Sequence, residues 1–205
     1  MVWIAVGVIA VLLAGAALWY VAVGSRSVAT LDRADWLYTR GDAELVEGPV
    51  SFGDHPQQRL FVYRAPGVEA SAGLPVLVFI HGGSWRSGDP EPYAYVARNF
   101  APDGYVVVSA GYRLGEAGKF PGMLQDGAST LSWVRDNIAD HGGDPERIAL
   151  MGHSAGAYNA AMLALTAAIS GSLDIGDRRQ CLVADAGKVR PVVVGIGAKH
   201  ALLGI

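Results

Sequence analysis

The chain has 205 residues, of which 51% are hydrophobic, and its 16 basic and 19 acidic side chains give a formal net charge of -3 at pH 7. This length suits one domain with a sizeable core, and the scattered charges form no basic surface, so we expect no nucleic-acid partner. The only cysteine is Cys181, which excludes an intramolecular disulfide and a cysteine-based metal cluster.

The first 25 residues contain no charged side chain. A helix of this length rises about 1.5 Å per residue and would cross a hydrocarbon layer of about 30 Å. Trp3, Trp19 and Tyr20 lie near its ends, where aromatic rings favour the membrane interface. We therefore predict a single-pass membrane anchor over residues 1–24, with the side of the membrane left open. The alternative is a cleaved signal peptide, which the missing basic amino-terminal region disfavours.

Residues 25–49 are predicted to hold a linker and the first strand region. Residues 52–66 predict a turn and then an alternating strand, which Pro66 ends. The continuous apolar run over 74–80 predicts a strand buried on both faces. Later patterns predict helices over 92–100, 126–138 and 155–169 and strands over 105–110, 148–151 and 189–196. This alternation predicts an α/β fold over residues 50–205, with a mostly parallel sheet and helices on both faces.

The strand over 148–151 runs into the segment Gly152-His153-Ser154-Ala155-Gly156, and an alanine-rich helix follows. This is the sequence pattern of a nucleophile elbow, a sharp turn that exposes a serine hydroxyl. The two glycines permit the close backbone approach that such a turn demands. The pattern predicts Ser154 as a nucleophile, and the N–H of Ala155 at the helix start as a donor to an oxyanion.

A second motif, His81-Gly82-Gly83-Ser84-Trp85, comes directly off the strand over 74–80. Its glycines allow backbone N–H groups to turn toward the space above Ser154. Each motif alone occurs by chance. Their joint occurrence, each after a predicted strand and in this order, indicates serine-ester chemistry.

With Val62-Tyr63-Arg64-Ala65-Pro66 and Gly142-Gly143-Asp144-Pro145, the two motifs resemble the α/β-hydrolase superfamily over about residues 50–170. The resemblance is to its carboxylesterase and hormone-sensitive-lipase-like group. It implies a carboxylic-ester hydrolase that forms an acyl-enzyme with a small ester and uses no metal or organic cofactor. Amide-like substrates such as formamides stay open. By the same resemblance Ser154 is the nucleophile, and Gly82, Gly83 and Ala155 form the oxyanion hole.

After the elbow the chain departs from the family pattern. In the family, a strand such as the one predicted over 189–196 is followed by two more strands, whose loops bring an aspartate and then a histidine to the serine. We therefore expect a truncated α/β-hydrolase domain, and the alternative function is a catalytically impaired homologue that lacks the triad Asp and His. The single formal candidate for the base is His200, and its orienting acid would be Asp174, Asp177 or Asp185.

Four other side chains near the motifs are predicted to have structural roles. The elbow turns adjacent side chains in different directions, so His153 is expected to be structural rather than a base. His81 is expected to brace its loop, Asp126 to support its helix or a loop, and Trp85 to pack. A protein whose soluble part only mediates contacts would need no elbow, and the paired motifs argue against that third hypothesis.

Overall fold

A computed structural model of the chain describes residues 2–24, 35, 41–169 and 194–196. The chain divides into two compact units, Met1–Tyr38 and Thr39–Ile205. The first unit contains helix α1, Val2–Gly24. Among the described residues, no helix combines the length and the apolarity that a membrane crossing needs. The prediction of a membrane-spanning anchor over residues 1–24 therefore has no support from the structure.

The described residues of the second unit form a six-stranded sheet with the order β1-β2-β4-β3-β5-β6. The strands are β1 Glu44–Ser51, β2 Arg59–Arg64, β3 Leu74–Ile80, β4 Val106–Ala110, β5 Gly143–His153 and β6 Val194–Ile196. Strand β2 pairs antiparallel with both β1 and β4, whereas β3 pairs parallel with β4 and β5, and β5 with β6. The sheet is thus mixed: three of the five pairings are parallel, as predicted, and the two antiparallel pairings both involve β2, whose direction the sequence analysis does not predict. A short turn joins β1 to β2, and a connection of that length permits only antiparallel neighbours.

In the described part of this unit, three α-helices flank the sheet: α2 Ala94–Phe100, α3 Gly122–Asn137 and α4 Ala155–Ile169. Successive strand residues point to opposite faces. Val78 and Val108 belong to the core that buried residues of α3 and α4 complete. The neighbouring residues Phe79 and Ser109 face the segment that enters α2, because the Phe79 ring lies 4.8 Å from the ring of Tyr93 and the Ser109 hydroxyl donates to the Pro90 carbonyl at 2.8 Å. Helical segments therefore cover both faces.

The loop after β4 is fixed by one buried carboxylate. Asp126, 1% exposed on α3, accepts hydrogen bonds from the backbone N–H of Arg113 at 2.8 Å and from its guanidinium at 2.8 to 3.0 Å. It also accepts a bond from the side-chain amide of Gln58 at 2.8 Å. These hydrogen bonds to Asp126 raise the pKa of the Arg113 guanidinium. Asp126 therefore supports a loop, as the sequence predicts, and joins it to the turn before β2.

Candidate active site

Strands β3 and β5 are parallel neighbours, and their pairing ends with Ile80 opposite Gly152. Their carboxyl ends therefore lie side by side at one edge of the sheet. The segment after β3 is the His81-Gly82-Gly83 loop, and the segment after Gly152 is the Ser154 turn. The fold thus brings the two predicted motifs together.

Ser154 occupies a strained turn between β5 and α4. Its φ of 52° lies in the left-handed region, which a serine rarely adopts. The turn is tight because a Cβ atom on Gly156 would lie 2.5 Å from the carbonyl oxygen of His81. The Ser154 carbonyl accepts bonds from the N–H groups of Ala157 at 3.0 Å and Tyr158 at 3.3 Å, which form the first turn of α4. The serine is exposed, at the positive end of a helix dipole.

The glycine loop lies directly against this turn. A Cβ atom on Gly82 would be 3.3 Å from the Cβ of Ser154 and 2.7 Å from Nδ1 of His153, so only glycine fits there without a shift. Gly83 has a φ of 129°, and its carbonyl accepts bonds from the N–H groups of Arg86 and Ser87, both at 3.0 Å. The loop therefore turns sharply next to Ser154.

Three hydrogen bonds fix the first two peptide groups of the loop. The Tyr112 hydroxyl donates to the His81 carbonyl at 3.1 Å, and the Gly82 N–H donates to the Tyr93 hydroxyl at 3.4 Å. The Gly82 carbonyl lies 2.7 Å from Nδ1 of His81, which must carry the proton because a carbonyl only accepts. Burial lowers the pKa of His81 below its ordinary value, which favours this neutral form. His81 thus braces its loop, as the sequence predicts.

The amide groups of the three predicted oxyanion-hole residues are used differently. The Gly82 N–H donates to the Tyr93 hydroxyl. Within the part of the chain that the structure describes, the amides of Gly83 and Ala155 donate to no other group. These two donors lie on the two segments that meet at Ser154, whereas the contribution of Gly82 is the space left by its missing side chain.

A second link joins the loop to α4. The indole N–H of Trp85 donates to Oδ1 of Asn159 at 3.0 Å, and the Trp85 ring meets Tyr158 edge-on at 5.6 Å. Asn159 is 1% exposed. Trp85 itself has a left-handed φ of 57°, and its carbonyl accepts a bond from the Gly115 N–H at 2.7 Å. Trp85, which is 36% exposed, therefore holds the loop to α4 through this hydrogen bond and one edge-on ring contact.

Every described histidine has a partner other than Ser154. Nδ1 of His55 accepts from the Gln57 N–H at 3.2 Å, and His81 bonds the Gly82 carbonyl. Nε2 of His141 lies 2.7 Å from the Glu47 carboxylate, and Nδ1 of His153 lies 3.1 Å from the Tyr93 hydroxyl. The role of His153 is thus structural in this geometry. His200 and the candidate acids Asp174, Asp177 and Asp185 lie outside the described residues.

The residues that the sequence analysis missed are Tyr93, Tyr112 and Asn159. No motif marks them, because each acts through a contact with a residue distant in sequence. Nothing in the described ranges groups three or more metal-binding side chains.

The chain is similar to known carboxylesterases and to other hydrolases. The BD-FAE family model matches residues 62–194. Carboxylesterase NlhH of Mycobacterium tuberculosis is 41% identical over 104 residues, which are 50% of this chain and 32% of that protein. Phenmedipham hydrolase of Pseudarthrobacter oxydans is 46% identical over 97 residues, 44% of this chain and 20% of that protein. The chain thus spans about a fifth to a third of these relatives.

Solved structures agree with this assignment. Esterase B of Lactobacillus rhamnosis, inhibited by a tributyrin phosphonate, superposes with a TM-score of 0.60 at 29% identity, covering 75% of this chain and 50% of that chain. EstE1, a carboxylesterase cloned from a metagenomic library, superposes with a TM-score of 0.55 at 34% identity, covering 71% of this chain and 49% of that chain. The chain therefore spans about half the length of these structures.

Proposed function

Because the chain belongs to the BD-FAE family of α/β-hydrolase carboxylesterases, we propose that it hydrolyses carboxylic esters through an acyl-enzyme on Ser154. One observation carries the proposal: an exposed serine in a left-handed turn lies at a helix start, beside a glycine loop whose Gly83 amide is free among the described residues. This is the arrangement that acyl transfer to serine requires.

In the proposed reaction, the Ser154 hydroxyl oxygen attacks the carbonyl carbon of the ester. The carbonyl electron pair moves to the oxygen, and the amides of Gly83 and Ala155 stabilise the resulting oxyanion. The oxyanion collapses, the alcohol leaves with a proton, and the acyl group remains on Ser154. Water then attacks the acyl-enzyme and releases the carboxylic acid.

The proton of the Ser154 hydroxyl needs a base, and that base needs an orienting acid. His200 is the only histidine that follows Ser154 in the chain. We assign it as the candidate base, with Asp174, Asp177 or Asp185 behind it, by the Ser, acid, His order of the family.

The substrates we propose are small esters with short acyl chains. The support is the tributyrin phosphonate that inhibits the structurally similar Lactobacillus esterase. Small amide-like substrates stay open because the same loop and elbow would bind their tetrahedral intermediates.

A second candidate function is that of a catalytically impaired homologue. It is favoured because each described histidine bonds a group other than Ser154. A serine without its base still exceeds the uncatalysed rate by about 10³ to 10⁴ through the oxyanion hole and binding alone. This candidate predicts slow turnover.

The deciding experiment uses the full chain with a fluorophosphonate probe and with nitrophenyl butyrate. We expect the adduct on Ser154 and loss of turnover in Ser154→Ala. The control is Ser71→Ala, because Ser71 is exposed in the short helical turn Ala70–Ala72 that precedes β3. An adduct on another serine, or unchanged turnover in Ser154→Ala, contradicts the proposed function. Loss of turnover in His200→Ala favours the complete triad, whereas slow turnover that His200→Ala leaves unchanged favours the impaired homologue.

Localisation is a separate proposal that rests on the sequence alone. The charge-free stretch over residues 1–24 would keep the protein in the membrane pellet during alkaline carbonate washing. A soluble protein that begins near Ser25 or Ser27 would indicate a cleaved signal peptide instead.

A further inference from the structure

The described pairing of β3 with β5 ends at Ile80 and Gly152, just before the residues of the active site. Beyond this point no ladder hydrogen bond fixes the spacing between the glycine loop and the Ser154 turn. Acyl transfer requires that spacing to be correct within a fraction of an ångström, because the amide donors and the hydroxyl act on the same carbonyl group. Some other contact must therefore hold the two segments together.

The Tyr93 hydroxyl makes that contact. Tyr93 is the last residue of a short helical turn, Glu91–Tyr93, and is 3% exposed. Its oxygen lies 3.4 Å from the Gly82 nitrogen in the loop and 3.1 Å from Nδ1 of His153 in the turn. One oxygen atom thus bonds both segments, immediately beyond the end of the strand ladder.

The chemistry of the three groups is complementary. The Gly82 N–H can only donate, so the phenol oxygen accepts from it. The phenol donates its proton to Nδ1 of His153 when the imidazole carries its own proton on Nε2, and accepts a second bond when Nδ1 carries the proton, so either tautomer keeps the link. Burial raises the pKa of Tyr93, so the phenol keeps the proton that it donates. Packing of its ring on Phe79 at 4.8 Å fixes the position of the hydroxyl.

We propose that Tyr93 is a positioning residue of the active site: its hydroxyl sets the distance between the oxyanion donor of Gly83 and the hydroxyl of Ser154. The inference rests on the proposed function for its catalytic consequence. Tyr93 touches neither substrate nor reacting atoms, and it acts through Gly82 and His153. The oxyanion exists only after attack, so the positioning affects kcat rather than KM.

The first test compares Tyr93→Phe with Tyr105→Phe in the full chain. Tyr105 directly precedes the first residue of β4, at the sheet edge opposite to the active site, and its ring packs on Phe100. We expect Tyr93→Phe to lower kcat for nitrophenyl butyrate, and the rate of fluorophosphonate labelling at Ser154, by about 3- to 10-fold, the size of one net hydrogen bond. KM should stay unchanged, and Tyr105→Phe should match the wild type. A wild-type kcat in Tyr93→Phe would overturn the proposal.

The second test needs no activity. Histidine is followed by glycine at only two places, His81-Gly82 and His141-Gly142. Labelling with carbonyl-¹³C histidine and ¹⁵N glycine therefore yields two filtered amide signals. We expect Tyr93→Phe to shift the Gly82 signal by more than its line width and to leave the Gly142 signal in place. An unmoved Gly82 signal would overturn the proposal.

The two tests keep this inference apart from the proposed function. If the wild type takes up no probe on Ser154, the proposed function fails, while the Gly82 signal still reports on Tyr93. If Tyr93→Phe does not fold, His153→Ala removes the other end of the link. The same loss in labelling rate then supports the proposal, and an unchanged rate overturns it.

Discussion

Gly152 packs directly against the carbonyl group of Gly156, so a Cβ atom on Gly152 would overlap with that group and lie 2.5 Å from the Ala157 nitrogen. All of these neighbours are backbone atoms of the elbow, which cannot rotate away as a side chain could. The serine turn thus depends on the mutual approach of two glycines. Both flank Ser154 at two residues' distance, and this explains the spacing of the motif.

Gly152→Ala should therefore displace the elbow. We expect a loss of about 1 to 3 kcal/mol in the free energy of unfolding, the usual cost of overpacking, together with loss of fluorophosphonate labelling at Ser154. Urea denaturation and labelling of the same preparation would measure both. The matched control is Gly15→Ala, where no atom lies within 4 Å of the added Cβ. Normal labelling of Gly152→Ala would refute this account of the turn.

Among the described acidic groups, neutralising the Asp126 carboxylate should lower the free energy of unfolding most. In Asp126→Asn, the Arg113 guanidinium loses its charged partner, and the buried site must accommodate an amide that donates. We expect a loss of roughly 2 to 4 kcal/mol in unfolding free energy, measured by urea denaturation. The control is Asp136→Asn, whose exposed pair with Arg135 should contribute nothing measurable. Equal stabilities of the two variants would contradict the prediction.

The bond between Trp85 and Asn159 is suited to a double-mutant cycle. Trp85→Phe leaves Oδ1 of Asn159 buried without its donor, and in the described structure its Nδ2 already has no partner. We expect Trp85→Phe to cost about 1 to 2 kcal/mol in unfolding free energy. In an Asn159→Leu background the same substitution should cost much less, because no acceptor is then orphaned. Additive losses would mean that the bond contributes nothing.

Stability should depend on pH through His81. Burial lowers the pKa of His81 in the folded chain, whereas in the unfolded chain it is about 6.5. Between these two pH values His81 binds a proton in the unfolded chain but not in the folded chain. The free energy of unfolding therefore falls as the pH is lowered through this interval. Urea midpoints at about pH 7.5 and about pH 5.5 should show a larger drop for the wild type than for His81→Gln. Equal decreases in the urea midpoint of the two proteins would rule out His81 as the source of the pH dependence.

The sequence predicts the central strands and the elbow because their signals are local. The apolar run over 74–80 coincides with β3, and the helix after the elbow, Ala155–Ile169, begins and ends as predicted. Strand β5 starts at Gly143 rather than near residue 148, because its first half is only partly buried and carries no apolar pattern. Helix α3 likewise starts at Gly122, before the first residue of its apolar periodicity.

The direction of β2 and the through-space contacts were beyond the reach of sequence patterns. Strand β2 lies next to β4, so its antiparallel pairing depends on a neighbour about 45 residues away in the chain. The link through Tyr93 likewise depends on where α2 packs, and nothing in its sequence neighbourhood distinguishes Tyr93 from Tyr95. Local patterns therefore located the Ser154 turn and the glycine loop, whereas the contacts that hold them required the folded chain.

The parallel pairing of β3 with β5 also has a consequence for biosynthesis. The glycine loop and the Ser154 turn are held together by residues far apart in sequence, such as Trp85 and Asn159, which are 74 positions apart. Closing so long a segment costs chain entropy that only the completed sheet offsets. A nascent chain that has left the ribosome up to residue 140 would contain the whole glycine loop and both tyrosines that hold it, but no serine opposite them. The candidate site therefore forms in one step, when β5 joins the sheet.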